Sequence, residues 1–202
     1  VNLDKDSSEV FLTKEYVGLG IEEDRFNMIA EEGYPNQEAW FYEYSDWDDF
    51  SIENLNINPP SDSIVPKASI EAKITVNNYA SKRGNRLFFK PFLATESRLN
   101  KLKPSRQTQF EFRYAFSQND SIIVNLDQAY RVEKSMLAKK VSSKYGKYES
   151  KTIELSATKL LFVRKLTVNK GKYDVNEYQE LRAFVEMIIR QDNGLVVLND
   201  RT

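Results

Sequence analysis

Neither histidine nor cysteine occurs in the 202 residues, and those two absences exclude most familiar catalytic machinery. The chain cannot build a Ser-His-Asp or Cys-His triad, a Cys/His zinc site, haem or iron–sulfur ligation, or any disulfide. A disulfide-free domain can live in cytosol or periplasm alike, so the redox compartment stays open. Long apolar runs are missing too. The longest, such as Leu160 to Val163 and Leu195 to Leu198, fall far short of the roughly 20 residues that a membrane-crossing helix needs. The first residues, Val1-Asn2-Leu3, show no methionine, basic n-region or apolar h-region. Either a leader has been removed or the sequence starts inside a longer protein, and the second is the expectation.

What is present is ordinary for a folded protein: 41% hydrophobic, 12% aromatic and 29% charged residues, far from a disordered composition. The length suits one sizeable domain, and a single module over residues 1–202 is expected. Its net charge of −1 conceals two unlike parts. Residues 1–62 hold 16 Asp/Glu against 3 Lys/Arg, a balance of −13, whereas residues 63–202 balance at +12. Docking of the acidic segment on the basic remainder is the expectation, as a summed and salt-sensitive effect.

The hydrophobic period divides the chain similarly. Residues 9–19 read as a strand, and residues 21–32 and 36–47 carry apolar residues at helical spacing, with Asn36 as the candidate N-cap. After the turn cluster Asn58-Pro59-Pro60-Ser61-Asp62 a period of two takes over. Ile70, Ala72, Ile74 and Val76 alternate with polar residues, as do Phe110, Phe112, Tyr114 and Phe116, the pattern of half-buried antiparallel strands. Further strands are expected around residues 87–89, 122–124, 130–132, 152–155 and 160–168, with a hairpin tip at Tyr145-Gly146-Lys147-Tyr148. Residues 175–192 repeat apolar side chains at three-and-four spacing and stop at Asn193-Gly194, which predicts a helix burying Leu181, Phe184, Val185 and Ile188. A last strand at 195–198 follows. The predicted fold is mainly β: an antiparallel, immunoglobulin-like β-sandwich with two short N-terminal helices and one C-terminal helix.

Candidate chemistry is thin. Ser156-Ala157-Thr158-Lys159 matches an S-x-x-K pattern but lies between strands and lacks its companion motifs, so chance explains it better. Gly18-Leu19-Gly20 opens like a dinucleotide loop, yet Glu23 replaces the third glycine and the surrounding acids repel phosphate. Asp46, Asp48 and Asp49 supply oxygens for an irregular calcium site, although Ser51 and Ile57 stand where an EF-hand needs Gly and Glu. The basic stretch Lys82, Arg83, Arg86, Lys90, Arg98, Lys101, Lys103, Arg106 is interleaved with Phe88, Phe89 and Phe92. That arrangement suits a half-buried sheet better than a nucleic-acid surface. Trp40, Phe41, Tyr44 and Trp47 fall at i, i+1, i+4 and i+7, one face of a helix. The stripe either packs on the sandwich or presents a partner surface.

Leu87-Phe88-Phe89-Lys90-Pro91-Phe92, then Arg106 to Tyr114, Ile122 to Glu133, Tyr178-Gln179-Glu180-Leu181-Arg182-Ala183-Phe184 and the closing Leu195-Val196-Val197-Leu198 carry a resemblance. In order and character they resemble the C-terminal domain of unknown function that follows a transglutaminase-like domain in envelope proteins of Bacteroides-type bacteria. Tyr130-Arg131-Val132-Glu133 fits the family pattern, while Asp127 stands where proline is usual. The resemblance implies a periplasmic or envelope location and an upstream transglutaminase-like domain of the same chain as partner. The family's catalytic Cys and His belong to that upstream domain. The expected function is thus a non-catalytic accessory or binding module for protein or glycan, with no cofactor, no metal, no nucleic-acid partner and no membrane insertion of this fragment. The alternatives are a carboxylate-only enzyme, such as a glycoside hydrolase, and a polyanion or nucleic-acid binder.

Overall fold

A computed structural model of the chain describes residues 2–3, 7–17, 26–45, 49–94, 99 and 101–200. In chain order its elements are β1 (Ser7–Val17), α1 (Phe26–Glu31), α2 (Tyr34–Tyr44), β2 (Phe50–Asn58), β3 (Lys67–Asn77), β4 (Ala80–Arg83) and β5 (Arg86–Phe89). There follow β6 (Phe110–Phe112), β7 (Phe116–Asn125), β8 (Tyr130–Lys134), β9 (Lys139–Ser143), β10 (Gly146–Ser156), β11 (Lys159–Val168), β12 (Gly171–Tyr173), α3 (Tyr178–Asp192) and β13 (Val196–Asp200). The chain is mainly β. Seven strands form one sheet in the order β2-β3-β1-β7-β11-β10-β9, four form a second in the order β4-β5-β13-β8, and β12 pairs β6 as a ribbon. Every one of these ladders is antiparallel.

Alternation decides which residues face the core, because successive strand side chains point to opposite faces. On β3, Ala68, Ile70, Ala72, Ile74 and Val76 are all buried, and on β11 the set is Leu160, Phe162, Arg164, Leu166 and Val168. The inward residues of β1, β3, β7 and the first half of β11 meet Leu87, Phe89, Val196 and Leu198 of the second sheet in one core. Phe162 lies edge-on to both Phe89 and Phe92, at 6.0 and 6.4 Å between ring centroids. The second half of β11 joins a separate core with Tyr145, Tyr148, Tyr173 and the apolar face of α3.

The acidic N-terminal segment does not merely lie on the sheets. Its strand β1 runs between β3 and β7, with Lys14 opposite Ile70 on one side and Asp120 on the other. Its second strand, β2, is an edge of the same sheet and does not show as one period-two run in the sequence. Phe50 and Ile52 are partly buried on even positions, whereas Leu55 and Ile57 are buried on odd ones. A register shift between Ile52 and Asn54 makes that change of phase, since a bulge inserts one unpaired residue.

Other expectations need correction. The alternation from Phe110 to Phe116 is not one strand. Phe110–Phe112 pair with β12, Phe116 begins the pairing with Val168 on β11, and Tyr114 between them is 45% exposed. The first helix is described only from Phe26. The second begins at Tyr34 with Gly33, not Asn36, as N-cap. Pro35 sits in its first turn, where a missing N–H costs nothing, and the Asn36 N–H already bonds the Gly33 carbonyl at 2.9 Å. The hairpin tip is Lys144-Tyr145, because Ser143 pairs with Gly146. A Cβ at Gly146 would stand 2.0 Å from the Thr167 carbonyl oxygen, so glycine is required by the close approach of β11.

The C-terminal helix buries Tyr178, Leu181, Phe184, Val185 and Ile188. Each such side chain contributes about 1.5–3 kcal/mol relative to exposure. A 3-10 turn over Val175–Glu177 precedes it, where the Glu177 carboxylate accepts the Asp174 N–H at 2.9 Å.

Candidate functional site

The aromatic stripe predicted on the second helix is only partly brought together. Phe41 is buried, and half-buried Trp40 meets Phe26 edge-on at 5.7 Å. Tyr44 is the last residue of α2, and Trp47 lies outside the described residues. Tyr42, on the same helix, is 43% exposed and lies 4.7 Å from the Phe50 ring. Of the candidate calcium ligands, Asp46 and Asp48 lie outside the described residues. Asp49 is exposed, and its Oδ1 accepts from Asn77 Nδ2 at 2.9 Å. Among the described residues no three acids converge on a common point.

Three residues of the predicted basic stretch are engaged with side-chain partners. Arg86 donates from Nε and Nη2 to both oxygens of Glu133 at 2.6 Å, Lys82 pairs with Asp200 at 3.3 Å, and Lys90 donates to Asn193. Arg98 lies outside the described residues.

The strongest polar constellation was not foreseen. Arg164 sits in the inward stripe of β11 with no exposed surface. Register places it between Asp120 on β7 and Ser150 on β10, and α3 brings Asp192 above it. Nε donates to Asp192 Oδ1 at 2.9 Å, and Nη1 donates to Asp120 Oδ2 at 2.9 Å and to Gln118 Oε1 at 3.3 Å. The Tyr148 hydroxyl adds a 2.7 Å bond to Asp192 Oδ1. Burial opposes the guanidinium charge, but Asp192 and then Asp120 outweigh it and raise the Arg164 pKa. Burial first, and then the Asp192 carboxylate, push the Tyr148 phenol up. Asp192 ends a helix, where a negative charge opposes the macrodipole, so Arg164 compensates an acid the helix alone would disfavour. Every charged member of this group faces an opposite charge inside the fold. Its chemistry is that of a fixed anchor between sheet and helix. Only the single arginine in an otherwise apolar period-two run, Leu160-Phe162-Arg164-Leu166-Val168, signals it in the sequence.

On the opposite face of the same strands the situation reverses. Residues 134–172 hold ten Lys besides the buried Arg164, and two Glu. Alternation turns Lys140, Lys147, Lys151 and Lys165 outward, all exposed. Glu149 lies among them, opposite Lys140 on β9 and Lys165 on β11, with Lys147 and Lys151 two residues away on its own strand. Among the described residues only Lys140 makes an ion pair with it, at 4.0 Å. Lys147, Lys151 and Lys165 have no acidic partner among the described residues. A shallow cavity of about 370 Å³ opens here, walled by Lys140, Ser142, Lys147, Glu149, Lys165 and Thr167. The described acids of the N-terminal segment pair with other lysines: Glu9 and Glu53 with Lys73, and Glu15 with Lys67, although Glu15 stands only two strands from Lys165 in the same row.

The family model of a domain of unknown function with solved structure, DUF3858, matches residues 85–198. The chain belongs to this family. The matched stretch contains all members of the Arg164 group and the whole lysine face, whereas β1, β2 and β3 precede it. The family domain therefore supplies four of the seven strands of the large sheet, and the preceding residues complete it. A crystal structure of a putative protease from Parabacteroides distasonis ATCC 8503 is similar over 48% of this chain and 19% of that one, at 18% identity and a TM-score of 0.43. This chain thus spans a minor part of that protein's length. No curated protein matches the chain. No helix among the described residues is long and apolar enough to cross a membrane.

Proposed function

We propose that this chain is a non-catalytic accessory module of a larger envelope protein, placed downstream of a transglutaminase-like domain and engaging an acidic partner through the outer face of β9–β11. The carrying observation is the contrast between the two faces of the same strands. Inside, Arg164 pairs with both Asp120 and Asp192, while its Nη2 and the Asp192 Oδ2 make no hydrogen bond. Outside, three lysines around Glu149 lack acidic partners among the described residues. Exposed lysines gain little from folding, so an uncompensated group of them on one flat face suits association better than stability. A sequence without histidine or cysteine supports the non-catalytic part, and the resemblance to transglutaminase-associated domains supports the context and a periplasmic location. The immunoglobulin-like description belongs to the same proposal. It rests on two antiparallel sheets sharing one core, although seven strands in one sheet exceed the usual immunoglobulin arrangement.

Retention of the chain on sulfated or carboxylated beads, compared with uncharged beads, tests the reading. Retention that falls as salt rises, and that disappears when Lys140, Lys147 and Lys165 are all changed to Glu, is the expected outcome. Equal retention of the wild type and this variant would overturn it.

A further inference from the structure

Resting on that reading of the face, we infer that its ligand is an acidic polysaccharide with sparse charge, one carboxylate or sulfate on about every second sugar ring. The lysines do not form an unbroken positive strip. Along β10 the order is Lys147-Glu149-Lys151, and across the strands it is Lys140-Glu149-Lys165. Strand geometry sets these ammonium-bearing positions about 14 Å apart along the strand and about 10 Å apart across two strand spacings. A carboxylate stands midway in both directions. A ligand with anions at that separation, and hydroxyl donors between them, satisfies all five side chains at once. Ser142 and Thr167 flank Lys147 on the neighbouring strands, and Ser117 Oγ lies 3.2 Å from Thr167 Oγ1. These hydroxyls add the neutral partners that sugar hydroxyls require.

The same features disfavour a nucleic acid. Its phosphates follow one another at every nucleotide, which would place one against Glu149. Base stacking needs exposed aromatic rings. Among the described residues, the exposed ring on this face of the sheet is Phe11, which lies on β1, three strands from β10, with Lys73 5.7 Å above it. An acidic polymer with charge on every ring meets the same repulsion at Glu149 as a nucleic acid does.

Fluorescence anisotropy with four labelled probes tests the inference on the whole chain: hyaluronate, charged on alternate rings; polygalacturonate, charged on every ring; oligo-dT; and neutral dextran. At one ionic strength hyaluronate is expected to bind best and dextran not at all. Lys147→Glu with Lys165→Glu should weaken hyaluronate by about tenfold, the sum of two exposed ionic contacts, with an unchanged melting temperature as the control for folding. Glu149→Gln carries the sharper test, because it should weaken hyaluronate while strengthening polygalacturonate and oligo-dT. If the densely charged probes bind as well as hyaluronate, or if Glu149→Gln strengthens all three charged probes alike, the sparse-charge inference falls and the basic contact face stands. If the lysine reversals leave every probe unaffected, the contact face itself is lost, and the inference with it.

Discussion

The two cores of this protein share β11 but are held by different means. The first, between the large and small sheets, is filled mostly by aliphatic side chains and by Phe26, Phe41, Phe89, Phe92 and Phe162, with two tyrosines, Tyr16 and Tyr79. The second, under α3, is lined by Tyr145, Tyr148 and Tyr173, whose hydroxyls reach polar partners. Arg164 stands at the boundary, two residues from Phe162 on one side and two from Leu166 on the other. Apolar packing constrains volume and shape but has no direction, so several helix placements could bury similar area. Directional bonds from Arg164 and Tyr148 to Asp192 select one. The cores also differ in origin. The second lies wholly within the family match, whereas the first needs β1 and β3 from outside it.

The contrast is broken most severely at Arg164. Arg164→Met strands Asp120 and Asp192 in the interior, and a loss of about 3–5 kcal/mol in urea unfolding is expected. Replacing Arg164, Asp120 and Asp192 together by Met, Leu and Leu should restore much of that loss, because a buried ionic group is often no better than an apolar one of similar size. The triple variant should still show broader α3 amide signals in NMR if the ionic group selects the helix position. Sharp, single signals would remove the distinction between the two cores.

Phe184→Ala tests the apolar part of the second core. A phenylalanine only 6% exposed should cost about 3 kcal/mol or somewhat more, and a loss below about 0.5 kcal/mol would contradict the packing. Smaller still is Gly146→Ala. Its methyl group would meet Thr167 backbone at 2.0 Å, and the shift needed to relieve that contact should cost about 1–3 kcal/mol. Thermal melting gives the comparison.

The smallest effect belongs to the surface beyond the first core. Lys73, followed by Asn2, holds Glu9 below the usual carboxylate range, and Lys73, followed by Thr75, does the same for Glu53. An acid whose pKa is lowered by folding contributes stability above its ordinary value of 4.5, which is lost as pH falls through the lowered value. The matching contribution of Lys73, whose pKa is raised, is lost only as pH rises above 10.5. Lys73→Met should therefore lower the melting temperature slightly near neutrality, and the difference should shrink as pH falls below 4.5. These groups are exposed, so the effect is small and weakens in high salt. A difference constant from neutrality to strong acid would show that Lys73 acts through packing instead.

Legibility followed the regularity of each segment. The inward faces of β3 and β11 and the buried face of α3 could be read directly, because their apolar residues keep a strict period. β2 could not be, since its bulge changes the phase at Glu53. The apparent strand through Phe110 and Phe116 misled for the opposite reason: an unbroken alternation spans two ladders with different partners. The Trp40–Trp47 stripe was recognisable as apolar, yet its spacing carried no information about where the helix stops.

Composition and period alone determined the exclusion of histidine and cysteine chemistry, the mainly β character and the C-terminal helix. These properties depend on which residues are present and how they recur along the chain. The Arg164 anchor and the lysine face around Glu149 were decided by the tertiary structure. Both join residues from different strands, Asp120 with Arg164 and Asp192 in one case, Lys140 with Glu149 and Lys165 in the other. Pairing register and sheet order make these neighbours, and a shift of one residue would carry Arg164 to solvent and the lysines into the core.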